Sequence, residues 1–202
     1  MFSVLLNQKN LPVKLILASN SPRRKEILAG LRIPFTVQVK DVPEDFPEDL
    51  QREEIAEFLA AHKADAYLAG LQPGEAVLTA DTIVWLQNAV LNKPQDLEEA
   101  RQMLYRLSGN MHEVITAVSI VTKTHQEVFH DVSKVYFRKL EPAEIDFYLE
   151  HFRPLDKAGA YGVQEFIGMI GIDRIEGSYF NVMGLPVHLV YERLKALGIT
   201  MV

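Results

Sequence analysis

Apolar residues recur along this chain in two alternating rhythms. Runs dense in Val, Ile, Leu and aromatic residues, KLILAS, FTVQV, AVLTADTIVWL, HEVITAVSIVT and EVFHDVSKVYF, predict strands, and the segment around GMIGI predicts another. Between them PRRKEILAGL, REEIAEFLAAHKADAYLA, LEEARQMLYRLS, AEIDFYLEHF and VHLVYERLKALG carry helical spacing. Strands alternating with amphipathic helices predict an α/β architecture, a core sheet covered by helices. Local signals set the ends: Asp96 with Glu99 forms a D-x-x-E capping box, Pro142 and Pro186 suit first-turn positions, and Gly109 and Gly198 suit helix stops. Neither an internal repeat nor a linker interrupts the pattern, so the chain reads as one domain over residues 1–202, with residues 1–13 as an N-terminal extension.

Composition narrows the partners. With 202 residues, 48% of them hydrophobic, the chain can bury a sizeable core. Its net charge of −6 argues against a broad nucleic-acid or anionic-membrane surface, so any anion site has to be local. The absence of cysteine excludes disulfides, a thiolate nucleophile and Cys-type zinc sites, and fits a reducing cytoplasm. The apolar start MFSVLLNQKNLPVK is broken by Asn7, Gln8, Asn10 and Pro12 and lacks the basic start of a signal peptide; no later window is long and apolar enough to span a bilayer.

One turn carries an unusual charge pattern. In LILASNSPRRKEIL an apolar strand runs into Ser-Asn-Ser-Pro and then two arginines at a helix start, where the helix dipole disfavours positive charge. If Ser21 is the N-cap, the first-turn N–H groups face the loop and make an anion cradle. Ser19 and Ser21 shape it, and Arg23 and Arg24 add planar donors that match phosphate oxygens. A plain capped helix with two solvated arginines is the alternative. No glycine-rich P-loop is present.

A second signal is LTADTIVW, where Asp81 and Thr82 interrupt an apolar strand. A carboxylate there is costly unless it is paired, hydrogen-bonded or metal-bound, so it marks a strand end, a cleft or a cation. Taken singly, Lys93 in LNKPQD reads as a loop residue, Lys63 as a cation placed late in a helix, and Glu44 as part of a solvated acidic loop. The glycine-bearing segments PLDKAGAYGVQEF and IEGSYFNVMGLP look like pocket walls, with Gln164 just after an aromatic-glycine turn.

Taken together and in order, LASNSPRR, TADTIVW with LNKP, LSGNMHEVITAV, EPAEIDFYL, PLDKAGAYGVQ and GSYFNVMGLP resemble the Maf family of nucleoside triphosphate pyrophosphatases, from about residue 14 to residue 195. The resemblance implies a fold similar to the inosine triphosphate pyrophosphatases: an elongated mixed sheet flanked by helices, with two lobes around a cleft. The two glycine-bearing segments resemble the branch acting on dTTP and UTP. The branch acting on 7-methyl-GTP carries Cys and Ser-Phe where this chain has Lys157 and Ala160-Tyr161.

Carried onto this sequence, the resemblance implies Asp81 as the proton acceptor and Arg23, Thr82 and Gln164 as positions tied to substrate choice. Lys63, Lys93 and Glu44 complete the triphosphate and metal site, with Glu44 and Asp81 holding Mg²⁺ or Mn²⁺. It further implies a cytoplasmic homodimer that acts on nucleotides and binds neither nucleic acid nor membrane. Two features depart from the family pattern: Asn20 stands where a small residue is expected, and QEFIGMIGID follows Gln164. Two other classes stay open, a nucleotide sensor regulating septum formation by binding, and a phosphatase releasing orthophosphate.

Overall fold

A computed structural model describes residues 13–200 of the chain. The extension expected over residues 1–13 therefore lies, as far as Pro12, outside the described residues. The elements follow the alternation read from the sequence: β1 (Lys14–Leu17), α1 (Pro22–Gly30), β2 (Phe35–Val37), α2 (Glu53–Leu68), β3 (Glu75–Leu86), β4 (Ala89–Leu91), α3 (Leu97–Leu107), β5 (Met111–Thr122), β6 (Gln126–Phe137), α4 (Pro142–Phe152), α5 (Phe166–Gly171), β7 (Ile172–Glu176), α6 (Tyr179–Val182) and α7 (Val187–Ala196).

The strands form one mixed sheet in the order β2-β1-β3-β5-β6-β7, with β4 also paired to β3. β1 runs parallel to β2 and to β3, and the other pairings are antiparallel. Its spine is β3, β5 and β6, and β3 and β5 are buried along almost their whole length because helices cover both faces. On one face α2 packs Ile55, Ala56, Leu59 and Ala60 against Ile83 and Ile115. Elsewhere α1 and α7 close over Leu15, Leu78 and Val118, and α3 and α4 close over Val84, Val114 and Phe137. Each Val, Leu, Ile or Phe among them contributes about 1.5–3 kcal/mol by leaving water.

Turn chemistry explains the junctions. Gln87 and Asn88 both have positive φ, 50° and 62°, which is the twist a two-residue β3–β4 hairpin requires. Ser21 caps α1, Pro142 opens α4, and Gly109 and Gly198 follow α3 and α7 with φ of 73° and 75°. Three local expectations are corrected. In the box ahead of α3, Asp96 accepts from the Glu99 N–H at 2.8 Å, but Glu99 reaches past the N-cap to the Gln95 N–H at 2.7 Å. The reciprocal box belongs to α4, between Glu141 and Glu144. Pro186 is the N-cap of α7 and not a first-turn residue.

The third correction is GMIGI, which splits: Gly168–Gly171 finish α5 and only Ile172 begins β7. Close packing explains the split, since a Cβ on Gly168 would lie 2.4 Å from the Val163 carbonyl oxygen. α5 can sit this close to the preceding loop only with glycine there, and that contact overrides the strand-like alternation of Met169, Ile170 and Ile172.

Candidate active site

The sheet has a gap at its centre, and the gap makes the site. β1 pairs with β3 as far as Leu17 opposite Leu78, and β4 takes the same edge of β3 only from Val84. Between these registers lie Thr79 to Ile83. There the chain leaves β1 through Ser19–Pro22, and the Ala18 N–H still reaches the Leu78 carbonyl at 2.8 Å. A cavity of about 550 Å³ opens over the gap, at the carboxyl end of β1 and the start of α1. Ser19, Ser21, Arg23, Arg24, Glu44, Lys63, Asp81, Thr82, Lys93 and Gln164, all singled out from the sequence, line this one cavity.

Asp81 stands mid-strand, opposite Ala117 of β5, and is 7% exposed. Among the features a carboxylate in an apolar strand can mark, the structure has the cleft and a cation. Lys63 donates to Asp81 Oδ1 and, at 2.7 Å, to Glu44 Oε1. Lys93 donates to the other Glu44 oxygen, also at 2.7 Å. The order Asp81–Lys63–Glu44–Lys93 is an alternating chain of charges along the cavity wall. Burial alone would raise the Glu44 carboxyl, but the two lysines outweigh it and hold it down at about 2.

Two single-residue expectations change here. Glu44 is doubly paired, though its side chain is 44% exposed, and so is not part of a solvated charge run. Lys63 lies in the body of α2, ahead of its last turn, so the helix dipole does not account for it.

The arginine pair divides its work. Arg23 reaches Asp156 at 3.0 Å and leaves part of its guanidinium facing the cavity. Arg24 is half-buried, and its Nε donates to the Gly184 carbonyl at 2.8 Å while Nη2 donates to Thr82 Oγ1 at 2.9 Å. Burial pushes the Arg24 guanidinium down from its usual value, and the charge of Asp81 pulls it back up. Both arginines were expected to be free phosphate donors; Arg24 instead spends two of its donors clamping the GLP turn to β3.

Thr82 is equally committed. Thr116 Oγ1 donates to the Asn181 carbonyl at 2.9 Å, so the Thr82 hydroxyl, 3.0 Å away, donates to Thr116 while accepting from Arg24. Asn181, fully buried, extends the network to the Val114 carbonyl and Ser133. Thr116 and Asn181 were not singled out from sequence; the signal was a lone Asn inside the otherwise small and apolar GSYFNVMGLP segment.

The opposite wall is the segment from Asp156 to Gln164. Its Tyr161 is buried, lies 2.7 Å from His112 Nε2 and packs edge-on against Phe137. The Gln164 amide oxygen is buried and has no hydrogen-bond partner among the described residues. Sequence reasoning also passed over Asp156, which carries Arg23 on one oxygen and Lys157 on the other. Counted over the cavity wall, six cations (Arg23, Arg24, Lys40, Lys63, Lys93 and Lys157) face four carboxylates (Asp41, Glu44, Asp81 and Asp156). The surplus of two positive charges leaves the cavity wall net positive within a chain of net charge −6.

The chain has named relatives among known proteins. Among relatives, the chain is 51% identical over 185 residues to a protein of Phocaeicola vulgatus named dTTP/UTP pyrophosphatase, covering 91% of this chain and 96% of that one. It is 50% identical over 188 residues to a protein of Porphyromonas gingivalis with the same name, covering 92% and 94%. A solved structure of a nucleoside-triphosphatase / dITP/XTP pyrophosphatase from Mycobacterium abscessus overlaps 92% of this chain and 97% of its own, at 18% identity and a TM-score of 0.46. The family model for Maf-like proteins matches residues 14–197, which takes in every residue of the cavity wall, and the chain belongs to that family.

Proposed function

We propose that this chain, acting as a single domain, is a nucleoside triphosphate pyrophosphatase that hydrolyses dTTP and UTP to the monophosphate and pyrophosphate. The observation that carries the reading is the charge chain Asp81–Lys63–Glu44–Lys93 beside Arg23, in a cavity with surplus positive charge. A triphosphate can displace these internal ion pairs by supplying its own oxygens to the lysines and to Arg23. Asp81, released from Lys63, accepts the proton of a water that attacks the α phosphorus. The bond from that phosphorus to the bridging oxygen breaks, and pyrophosphate leaves with its charge met by Lys63, Lys93 and Arg23.

A divalent cation, Mg²⁺ or Mn²⁺, belongs to this reading. Among the described residues no cluster of three or more His, Asp or Glu has metal-ligand spacing, while Glu44 and Asp81 face each other across Lys63. Two hard carboxylates fit a hard divalent cation. Glu44 and Asp81 would hold it, and bound there it would neutralise charge on the phosphate oxygens.

The unpartnered Gln164 oxygen supports the base preference. It is an acceptor that lacks a donor, and the N3–H of uracil and thymine supplies one where cytosine offers a second acceptor. The names of the relatives point to the same two substrates. A cytoplasmic homodimer completes the proposal, supported by the cysteine-free composition and by the family resemblance. The test is incubation with Mg²⁺ or Mn²⁺ and UTP, dTTP, CTP, ATP and GTP, assaying both phosphate products. Pyrophosphate released fastest from UTP and dTTP is expected. Orthophosphate release would identify a phosphatase, and binding without turnover a sensor; either would overturn the proposal.

A further inference from the structure

The residue after Gln164 belongs to the segment that departs from the family pattern, and its side chain is the meeting point of the whole base-side loop. Glu165 is the N-cap of the six-residue α5, yet its carboxylate caps nothing. One oxygen takes Lys157 Nζ at 3.1 Å, and the other accepts from the Tyr148 hydroxyl. That same hydroxyl accepts from the Gly162 N–H at 3.1 Å. Lys157 begins the loop, Gly162 is at its middle and Glu165 ends it, so three points are tied to one carboxylate.

The ties are buried. Lys157 is 7% exposed, Tyr148 is fully buried, and a Cβ on Gly162 would fall 2.7 Å from the Glu165 carboxyl carbon. Burial, reinforced by the adjacent Glu165 carboxylate, pushes the Tyr148 phenol up, so it remains a donor at any working pH. Glu165 itself does not line the cavity, whereas Lys157, Gly162 and Gln164 do. It can act on a bound nucleotide only through its neighbours.

We propose that Glu165 is a positioning residue for base selectivity: by clamping Lys157 and, through Tyr148, Gly162, it fixes the backbone that presents the Gln164 amide to the base. This rests on the reading of Gln164 as the group that meets the base. Charge-assisted bonds in a dry setting hold a loop far more stiffly than a neutral amide does, so removing the charge while keeping the shape loosens Gln164. The fold tolerates that change, because Lys157 retains Asp156 at 2.7 Å.

The experiment measures kcat and KM for Glu165→Gln, Tyr148→Phe and Gln164→Ala with UTP, CTP and base-free ribose 5-triphosphate. Glu165→Gln is expected to lower the UTP-to-CTP ratio of kcat/KM about tenfold, mainly through the KM for UTP. Ribose 5-triphosphate turnover should stay within about twofold of wild type, since Asp81, Lys63, Glu44 and Lys93 do not touch Glu165 and Asp156 keeps both Arg23 and Lys157. Tyr148→Phe should shift the ratio in the same direction by less. A merely structural role would lower all three substrates together, and that result, or an unchanged ratio in Glu165→Gln while Gln164→Ala collapses it, would overturn the inference alone. If Gln164→Ala itself leaves the ratio unchanged, the reading of Gln164 is overturned and the inference with it.

Discussion

The two walls of the cavity solve opposite problems. On the phosphate side, Asp81, Lys63, Glu44 and Lys93 neutralise one another in sequence, and Arg23 is paired with Asp156. Each of these five side chains has an ionic partner before any ligand arrives. On the base side, packing, neutral hydrogen bonds and one carboxylate do the shaping: Tyr161 on His112 and Phe137, Gly162 on Tyr148, and Glu165 on Lys157 and Tyr148. There the Gln164 oxygen is left without a donor among the described residues. The difference teaches how one site can be both permissive and selective. Exchangeable ion pairs favour any triphosphate that replaces them, whereas a rigid wall with one open valence discriminates among bases.

Breaking the phosphate side should have the largest effect. Asp81→Asn keeps the shape but removes the proton acceptor and half of the Lys63 pairing, and kcat for UTP is expected to fall by a factor of about 10² or more in a protein that still folds. Near-normal turnover would remove Asp81 from that role. Arg23→Ala comes next. Losing one charge-assisted contact to phosphate costs about 1.5–3 kcal/mol, roughly a ten- to hundred-fold fall in kcat/KM. Thermal stability should hold, because the pair it forms with Asp156 is mostly solvent-exposed on the Asp156 side. Unchanged kinetics would return Arg23 to a surface role.

Altering the base side should change ratios more than rates. Gln164→Glu keeps an acceptor for the base N3–H but loses the amide donor that can meet a base carbonyl, and it adds a charge near the polyphosphate. The preference for UTP over ATP is expected to shrink about tenfold, with purine turnover itself falling less than that for UTP. A preference that survives intact would detach base selection from Gln164.

The smallest effect near neutrality concerns the support behind that wall. Burial holds the His112 imidazole down at about 3, so it stays neutral in the folded protein while the unfolded chain binds a proton below about 6.5. The unfolded state therefore gains protons first, and stability falls on acidification. The loss from this group is about 0.7 kcal/mol between pH 7 and pH 6, steepening to about 1.4 kcal/mol per unit further down. Urea titrations at several pH values should show that slope, and His112→Gln should remove this group's share of it. Glu44 adds a separate acid loss confined to pH below about 4.5, where its depressed carboxyl begins to lag the unfolded chain in taking up a proton.

These two walls were unequally legible in the sequence. Hydrophobic alternation located β3, β5 and β6 because they are long and buried, while Ser21 marked a helix start through a local hydrogen bond and Pro142 through its fixed φ, neither of which needs tertiary context. Asp81 stood out because a carboxylate is incongruous in an apolar strand. Lys63, Glu44 and Lys93 were weak one by one, since their meaning is mutual and arises only when α2 and the loop ahead of it fold over β3. Arg24 and Thr82 looked like open ligand groups; only the folded hydrogen-bond directions show that each is already spent on its neighbours. GMIGI misled because a strand pattern yielded to a close backbone contact that periodicity does not encode.

The central claim is that water attacks the α phosphorus, and isotope labelling tests it most directly. UTP is hydrolysed in H₂¹⁸O to less than one turnover of substrate per active site, and the products are weighed by mass spectrometry. The account predicts one ¹⁸O in UMP and none in pyrophosphate. Label in pyrophosphate, or labelled orthophosphate beside UDP, would contradict it.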